Sequence, residues 1–393
     1  MAAKAHKSLH IAVFPWLAFG HIIPYLELSS TLLKRVTESH SFPPQETSIA
    51  SQNCLRIYLS IALVKIRCQE PLSSRKMQKP PWTSMADKWT FKKAFDGLEA
   101  GLTCFLEDSR PDWIIYDFAA HWLPPVAARL GISRAFFLII NAWFLAFYGA
   151  ADTLISGSDY RTKPEDFTVP PKWVKFETKV AYRRFEAEWS YKASQANDSG
   201  FSDFYRMGKA IIGCEAILIR HCHEFEPKWL TLLDELHHRP VIPLGLMPPK
   251  LLDHSINNDD NHKIWTPIKN WLDDQNRGSV LYVALGSEVT PTQNQVVELA
   301  YGLDLSGVPF FWVLREVSGR DSIELPSGFE ERVSSRGIVW RSWALSWILS
   351  HVWILDALRV EFYRGGTHFG HPLITLSFLV DQGLNSRVVV EKH

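Results

Sequence analysis

The fold is decided first in residues 9–24, which read LHIAVFPWLAFGHIIP. The apolar run at residues 9–14 stops at Pro15, and this pattern predicts a short buried strand. After a turn, residues 25–34 have the apolar spacing of a helix. A buried strand that leads directly into a helix is the repeating unit of a parallel α/β sheet.

The same alternation continues along most of the chain. Further buried strands are predicted at residues 112–116, 134–140, 216–219, 280–285, 309–314 and 337–340, and helices at residues 88–106, 125–130, 201–211, 228–236 and 293–305. A stretch rich in Pro, Asp and Asn at residues 240–261 indicates a linker. We therefore expect an α/β protein of two Rossmann-like domains, residues 1–245 and 263–393, joined by a linker at 246–262. Ligands would bind in the cleft between the carboxyl edges of the two sheets.

Composition and motifs argue against several classes of function. Lys plus Arg and Asp plus Glu number 42 each, so the formal net charge is zero, which argues against nucleic acid as a partner. The five cysteines form no Cys-x-x-Cys pair, which argues against a zinc site and favours a reducing, cytoplasmic compartment. The glycine motifs of NAD-binding and ATP-binding enzymes do not occur. The longest apolar run, residues 135–151, contains Asn141 and is short for a membrane span.

Two residues at the predicted strand ends could carry acid–base chemistry. His21 follows the first strand, and a histidine there can accept a proton near neutral pH. Asp117 follows the strand at residues 112–116, and a carboxylate beside His21 would orient the imidazole and stabilise its charged form. Position alone favours a loop histidine bonded to backbone over a base for His21, and the alternative for Asp117 is a turn or N-cap aspartate.

A second group of candidates lies in the C-terminal half. Gly286 and Ser287 follow a predicted strand, in the segment LYVALGSE at residues 281–288, where backbone N–H groups could approach phosphate. Residues 343–351 read WALSWILSH, residues 369–374 read FGHPLI and residues 378–382 read FLVDQ. Taken alone, a Gly-Ser turn, a core tryptophan and a solvated Asp-Gln turn account for these segments.

Together, the segments around His21, Asp117, Ser287 and Gln382 resemble the plant family-1 UDP-glycosyltransferases. The resemblance covers roughly three-quarters of the chain. It implies a GT-B fold and transfer of a sugar from a UDP-sugar, with inversion, to a hydroxyl of a flavonoid or terpenoid or of its glycoside. The subgroup that it resembles most includes rhamnosyltransferases. It implies a cytoplasmic monomer without a metal ion, a transmembrane segment or a cofactor beyond the UDP-sugar co-substrate.

The resemblance also assigns roles to individual residues. His21 would be the general base and Asp117 its partner. The UDP-sugar would be held by Gly286, Ser287, Trp343, Ala344, His351, Asp381 and Gln382, with Trp343 stacked on uracil and the Asp-Gln pair on the sugar hydroxyls. The acceptor pocket would be lined by Trp16, Phe19, Phe118 and Trp143, the residue that follows Ala142.

The chain departs from the family between the two ends of the donor motif. The family's core there reads Thr-His-Cys-Gly-Trp-Asn/Ser-Ser and then Glu, and it holds the diphosphate and ribose. Residues 352–362 read VWILDALRVEF instead, the family's Pro-Gln after Trp-Ala is replaced by Leu345-Ser346, and residues 36–85 do not match the family's second strand. Family members also continue for several helices past the position of His393, so we expect an incomplete second domain.

We hypothesise that two segments are translated out of frame. One choice of codons for residues 352–362, read from the fifth base, encodes Gly-Phe-Leu-Thr-His-Cys-Gly-Trp-Ser, which is the family core. Residues 35–51, with one inserted base, similarly encode RGHRVSFISTPRNIDRL, which resembles the family's second strand. The genomic or transcript sequence tests this hypothesis. If the protein is made as written, we expect weak or absent catalysis and reduced stability, since an anion site needs free backbone N–H groups at a helix N-terminus.

Two alternatives to an active glycosyltransferase stay open. A non-catalytic remnant could still bind the acceptor in the N-terminal domain, where His21 and Asp117 are intact. A nucleotide-dependent oxidoreductase on similar α/β domains is the third possibility, and it lacks its glycine motif. The sequence names neither the sugar nor the acceptor.

Overall fold

A computed structural model describes ten stretches of the chain: residues 9–38, 85–197, 199–247, 259–276, 278–285, 289, 291–315, 323–341, 352–356 and 373–392. Most of the non-matching segment at residues 36–85 lies outside these stretches, as do residues 286–288 and 342–351.

The first sheet has five parallel strands in the order β1-β2-β3-β4-β5. Its strands are β1 (Ile11–Phe14), β2 (Trp113–Tyr116), β3 (Ser133–Leu138), β4 (Ala216–Ile219) and β5 (Val241–Pro243). The helices that accompany it are α1 (Phe19–Glu38), α2 (Met85–Asp96), α3 (Glu99–Ser109), α4 (Leu123–Arg129), α5 (Ala142–Tyr148), α6 (Ala151–Ser156), α7 (Arg184–Ser194), α8 (Asp203–Gly213) and α9 (Pro227–His237), with a 3₁₀ turn at Pro164–Phe167. This alternation confirms the α/β class predicted from the sequence.

Helix α5 lies in the centre of the first core. All seven of its residues are buried, so it has no polar face and is surrounded by protein, as its uniformly apolar sequence AWFLAFY requires. The apolar run at residues 135–151 is therefore a buried strand, β3, followed by the buried helix α5. No helix within the described stretches is long and apolar enough to cross a bilayer.

The second sheet also has five parallel strands, in the order β10-β9-β6-β7-β8. Its strands are β6 (Val280–Ala284), β7 (Phe310–Val313), β8 (Gly337–Trp340), β9 (Val352–Asp356) and β10 (Leu373–Thr375). Its helices are α10 (Asp259–Asp273), α11 (Gln293–Ser306) and α12 (Phe329–Val333). The last helix of the chain is α13 (Gln382–Lys392).

Strand β9 lies inside the segment that departs from the family. It pairs with β6 on one side, with Tyr282 opposite Ile354, and with β10 on the other. Strand β9 begins with Val and Trp and then has Ile, all of which favour strands. The altered segment therefore still supplies a strand to the middle of this sheet.

Two boundaries predicted from the sequence, one of a helix and one of the linker, differ from those in the structure. The helix expected at residues 88–106 is divided into α2 and α3 at Gly97 and Leu98, because glycine weakens a helix interior. The linker expected at residues 240–261 begins with β5, which adds a fifth parallel strand to the first sheet next to β4.

Helix α13 follows β10 of the second sheet but packs on the first domain. Leu384 and Val388 are almost fully buried in the same apolar cluster as α5 and α8. At the far end of α13, the Glu391 carboxylate accepts hydrogen bonds from the Thr178 hydroxyl and the Lys179 amide. The end of the described chain thus joins the two sheets.

Candidate active site

His21 and Asp117 meet at the carboxyl edge of the first sheet. Strands β1 and β2 are parallel neighbours with Phe14 opposite Tyr116, so the segments that follow them leave the sheet side by side. Asp117 comes directly after β2, and His21 lies in the first turn of α1 rather than in a loop. His21 Nδ1 lies 2.7 Å from Asp117 Oδ2.

The Asp117 carboxylate is fixed by backbone donors as well as by His21. Its Oδ2 accepts from the Trp16 amide at 3.1 Å, and its Oδ1 lies 2.7 Å from the Phe118 amide. The residue is 2% exposed, whereas the His21 side chain keeps 20% of its surface. The carboxylate is therefore buried and oriented while the imidazole remains accessible, which is the arrangement of a base and its orienting partner.

This geometry assigns the two nitrogens of the His21 ring. An ionised carboxylate only accepts hydrogen bonds, so Nδ1 carries the hydrogen that points to Asp117. Nε2 is then the lone-pair nitrogen, and it can take a proton from a hydroxyl group. When it does, the charge of Asp117 stabilises the imidazolium that forms.

Aromatic side chains border His21. Trp16 packs against Phe91, Phe95 and Phe118, with ring centroids 4.9 to 6.0 Å apart, and the Phe118 ring centroid lies 5.7 Å from that of His21. Phe19, two residues before His21 at the start of α1, is 52% exposed. These rings form an apolar surface suited to a flat organic acceptor.

Trp143 does not fit the role expected for it in the acceptor pocket. Its side chain is fully buried within α5, so it has no surface to offer a ligand. Its indole N–H donates instead to Asn385 Oδ1 at 2.7 Å. The sequence alone does not distinguish a tryptophan that lines a pocket from one that is buried in the core. A buried indole N–H needs a hydrogen-bond acceptor, and Asn385 supplies it.

A buried arginine supports the turn that carries Asp117. Arg206 is fully buried on α8 and makes a two-point ion pair with Asp96, at 2.7 and 2.6 Å. It also donates to the carbonyl of Ala119 at 3.0 Å and to His121 Nδ1 at 3.1 Å. Burial and, secondly, the positive charge of Arg206 lower the pKa of His121. Arg206 was not predicted from the sequence, because nothing in its local sequence distinguishes it from a surface arginine on an amphipathic helix.

The described donor-side candidates are Asp381 and Gln382, at the start of α13. Asp381 is 6% exposed, and its Oδ2 accepts from Asn385 Nδ2 at 2.9 Å. The Gln382 side-chain oxygen accepts from the amides of Phe378 and Leu379, at 2.7 and 2.8 Å, so it closes its own turn. Gly286, Ser287, Trp343, Ala344 and His351 lie outside the described residues.

The donor-side turn also contacts the carboxyl end of β6. Leu285 and Val289 flank residues 286–288, and both are buried against Phe378 and Leu379. The apolar residues that bracket the Gly286-Ser287 segment therefore touch the residues that lead into Asp381.

Other plant proteins are similar in sequence to this chain over almost its whole length. UDP-glycosyltransferase 91D2 of Stevia rebaudiana is 44% identical, in an alignment that covers 98% of this chain and 82% of that protein. This chain belongs to the plant UDP-glycosyltransferases. The soyasaponin III rhamnosyltransferase of Glycine max is 35% identical over the same share of this glycosyltransferase and 82% of its own length. No family model matches the chain.

Solved structures show the same fold. Phytolacca americana UGT2, solved with UDP-2fluoro-glucose and pterostilbene, superposes on this glycosyltransferase with a TM-score of 0.69 at 22% identity, over 98% of this chain and 84% of that one. TcCGT1 in complex with UDP gives a TM-score of 0.66 at 22% identity over the same shares. The GT-B fold with two Rossmann-like sheets, which the resemblance implied, is thereby confirmed.

A cavity of about 320 Å³ lies elsewhere on this glycosyltransferase. It is lined by Trp173, Lys175, Phe176, Lys228, Thr231, Leu232 and Glu235. It shares no residue with the surroundings of His21 and Asp117, and we assign it no part in the reaction.

Proposed function

We propose that this glycosyltransferase transfers a sugar from a UDP-sugar to a hydroxyl of a small plant metabolite or of its glycoside, with His21 as the general base. The observation that carries the proposal is the 2.7 Å contact between His21 Nδ1 and Asp117 Oδ2. A buried carboxylate that orients an accessible imidazole has a clear use where a hydroxyl must lose its proton.

The step conserves atoms and charge. The acceptor hydroxyl gives its proton to His21 Nε2 while its oxygen forms a bond to the anomeric carbon of the sugar. The bond between that carbon and the diphosphate oxygen breaks, and its electron pair leaves with UDP. Attack from the face opposite the leaving group inverts the anomeric centre.

The proposed acceptor is a flavonoid or terpenoid, or a glycoside of either. The rings of Trp16 and Phe118 beside His21 provide an apolar wall for such a molecule. A relative that is 35% identical is named for a saponin glycoside and for rhamnosyl transfer, which supports a glycosylated acceptor. We further propose that the protein is a cytosolic monomer that uses the UDP-sugar as co-substrate without a metal ion.

The donor side is the weaker half of the proposed site. Residues 352–362 replace the family core, and in the structure their first five residues form strand β9. Arg359 and Arg364 could attract phosphate by charge, but they do not replace the backbone N–H groups of a helix N-terminus. We therefore expect the chain as written to bind UDP weakly and to transfer sugar slowly or not at all.

A second candidate function follows from this asymmetry, because the His21–Asp117 pair is present in the first domain while the donor core is altered. A remnant that binds only the acceptor would retain affinity for a flavonoid glycoside and have none for UDP. Calorimetry with each ligand separates the candidates, and transfer of radiolabelled sugar from UDP-glucose and UDP-rhamnose measures the reaction. Binding of the glycoside without UDP binding supports the remnant, whereas binding of neither ligand contradicts both candidates.

A further inference from the structure

The turn before Asp381 has an unusual backbone. Val380 has φ +52°, in the left-handed region that β-branched residues rarely adopt. The next residue is Asp381, the carboxylate proposed to face the sugar hydroxyls. Strain of this kind persists only where surrounding contacts hold it in place. The contacts around Val380 and Asp381 show which residues do so.

Tyr182 holds Val380 from the first domain. Its hydroxyl donates to the Val380 carbonyl oxygen at 2.8 Å. The same hydroxyl lies 2.9 Å from that of Tyr148, which lies 2.8 Å from the Ser190 hydroxyl. All three side chains are buried. Because the Tyr182 proton is used on Val380, the Tyr148 hydroxyl donates to Tyr182, and the direction of the chain of bonds is fixed.

Asn385 holds Asp381 from the other side. The Trp143 indole N–H can only donate, so the Asn385 atom facing it at 2.7 Å must be the amide oxygen. The amide nitrogen of Asn385 then points to Asp381 Oδ2 at 2.9 Å. The Asn141 amide donates to the same Asn385 oxygen at 3.3 Å. The buried tryptophan therefore determines how Asn385 presents its N–H to the carboxylate.

A close contact fixes the helix that follows the turn. The Glu186 carboxylate accepts from the Ser377 hydroxyl and, at 2.6 Å, from the Arg183 amide. A Cβ atom on Gly383 would lie 2.5 Å from Glu186 Oε2, so a larger residue there would have to displace the carboxylate. The negative charge of Glu186 beside the N-terminus of α13 is also favourable.

We infer that Tyr182 and Trp143, both in the first domain, are positioning residues for Asp381: Tyr182 holds the strained Val380 carbonyl, and Trp143 orients Asn385 against the carboxylate. The first domain thereby contributes to recognition of the sugar as well as the acceptor. This inference rests on the proposed function for the meaning of Asp381, but its geometry holds without a bound donor.

The test removes the Tyr182 hydroxyl and then removes the strain. Tyr182→Phe should let Val380 leave the left-handed region, displace Asn385 and shift the indole ¹H–¹⁵N resonance of Trp143. Val380→Gly in the same chain should restore that resonance, because glycine adopts positive φ without support. Tyr25→Phe removes another buried hydroxyl, which donates to the Phe137 carbonyl in a separate apolar cluster, and should leave the resonance unchanged.

Donor affinity gives the second readout. Tyr182→Phe should weaken binding of UDP-glucose relative to UDP about tenfold, the size expected when a hydrogen bond to a charged group is misplaced, and Val380→Gly should restore the ratio. If the wild-type chain binds neither UDP nor UDP-glucose, the proposed binding of a UDP-sugar is contradicted. The Trp143 indole resonance still tests whether Tyr182 positions this turn, because it needs no bound donor. The inference is overturned if Tyr182→Phe leaves the Trp143 indole resonance unchanged. It is also overturned if Val380→Gly does not reverse the shift.

Discussion

His21 Nδ1 lies 2.7 Å from Asp117 Oδ2, although the two residues are 96 positions apart in the chain. The contact exists because β1 and β2 are parallel neighbours, so both residues leave the sheet at one edge. Asp117 is also held by the Trp16 amide, which comes from the β1–α1 connection itself. The connection that delivers His21 therefore also fixes its partner.

Asp117→Asn should lower the rate of transfer about 10²- to 10⁴-fold with little change in acceptor binding. The amide is nearly the same size as the carboxylate, but it carries no charge to stabilise the imidazolium. The rate is measured as release of UDP in the presence of acceptor, in the chain as written and in the donor-restored chain described next. Asp112→Asn is the matched control, because Asp112 lies at the opposite end of β2 and binds the His10 amide. In the donor-restored chain, equal rates with Asp117 and with Asn at this position would remove Asp117 from the mechanism.

Restoring the family core should create UDP affinity. We expect that replacing residues 352–362 by the frame-restored sequence raises UDP affinity at least about tenfold, because the new glycine and small residues expose backbone N–H groups to phosphate. Isothermal titration with UDP measures the gain. A chain with the same inserted residues in scrambled order should gain nothing. If the restored and scrambled chains bind UDP equally, the segment is not the cause of weak donor binding.

The sequence predicted the sheets well where apolar runs are short and clearly bounded. The strands at residues 216–219 and 337–340 have the predicted bounds. The break between α2 and α3 was missed because apolar spacing continues through both helices, and β5 was missed because it has three residues and ends in Pro243. The spacing of apolar residues predicts which face of an element is buried. It does not predict where the backbone bends.

The candidate site was predictable where one motif contains both a residue and its local context, as for His21 and Asp117. Asn385, Tyr182 and Arg206 were missed because their partners are distant in the chain. Asn141 and Asn385, for example, are 244 positions apart. Trp143 was assigned to the acceptor pocket for the same reason, since only the fold shows that it is buried behind Asn385.

Arg206→Met should destabilise the first domain by about 3 to 5 kcal/mol, because it leaves Asp96 and the Ala119 carbonyl without their buried partner. Urea unfolding measures the loss. Adding Asp96→Asn to the same chain should recover part of it, since the unpaired charge is removed. The control is Arg129→Met, whose ion pair with Glu107 is 61% and 42% exposed and should contribute less than about 1 kcal/mol. Similar losses for both arginines would contradict a special role for Arg206 beneath the Asp117 turn.

His237 should make the protein less stable in mild acid. It is 8% exposed at the end of α9, and neither ring nitrogen has a hydrogen-bond partner within the described chain. Burial, and secondly the charge of His238, lowers the pKa of His237 from 6.5 to about 4. Between these values the unfolded chain binds a proton that the folded chain does not, so unfolding becomes more favourable as the pH falls from 6.5 to 4.

The lowered pKa of His237 should reduce the free energy of unfolding by about 3 kcal/mol between pH 7 and pH 4, where the loss is complete. Urea unfolding at pH values between 7.5 and 4.5 measures it. His237→Phe, which cannot be protonated, should flatten this part of the pH profile. His238→Asn keeps a residue that tolerates the left-handed backbone at φ +52°. It removes only the secondary cause of the low His237 pKa and should therefore flatten the slope much less than His237→Phe. A slope that is the same with and without His237 would show that other groups cause the acid sensitivity.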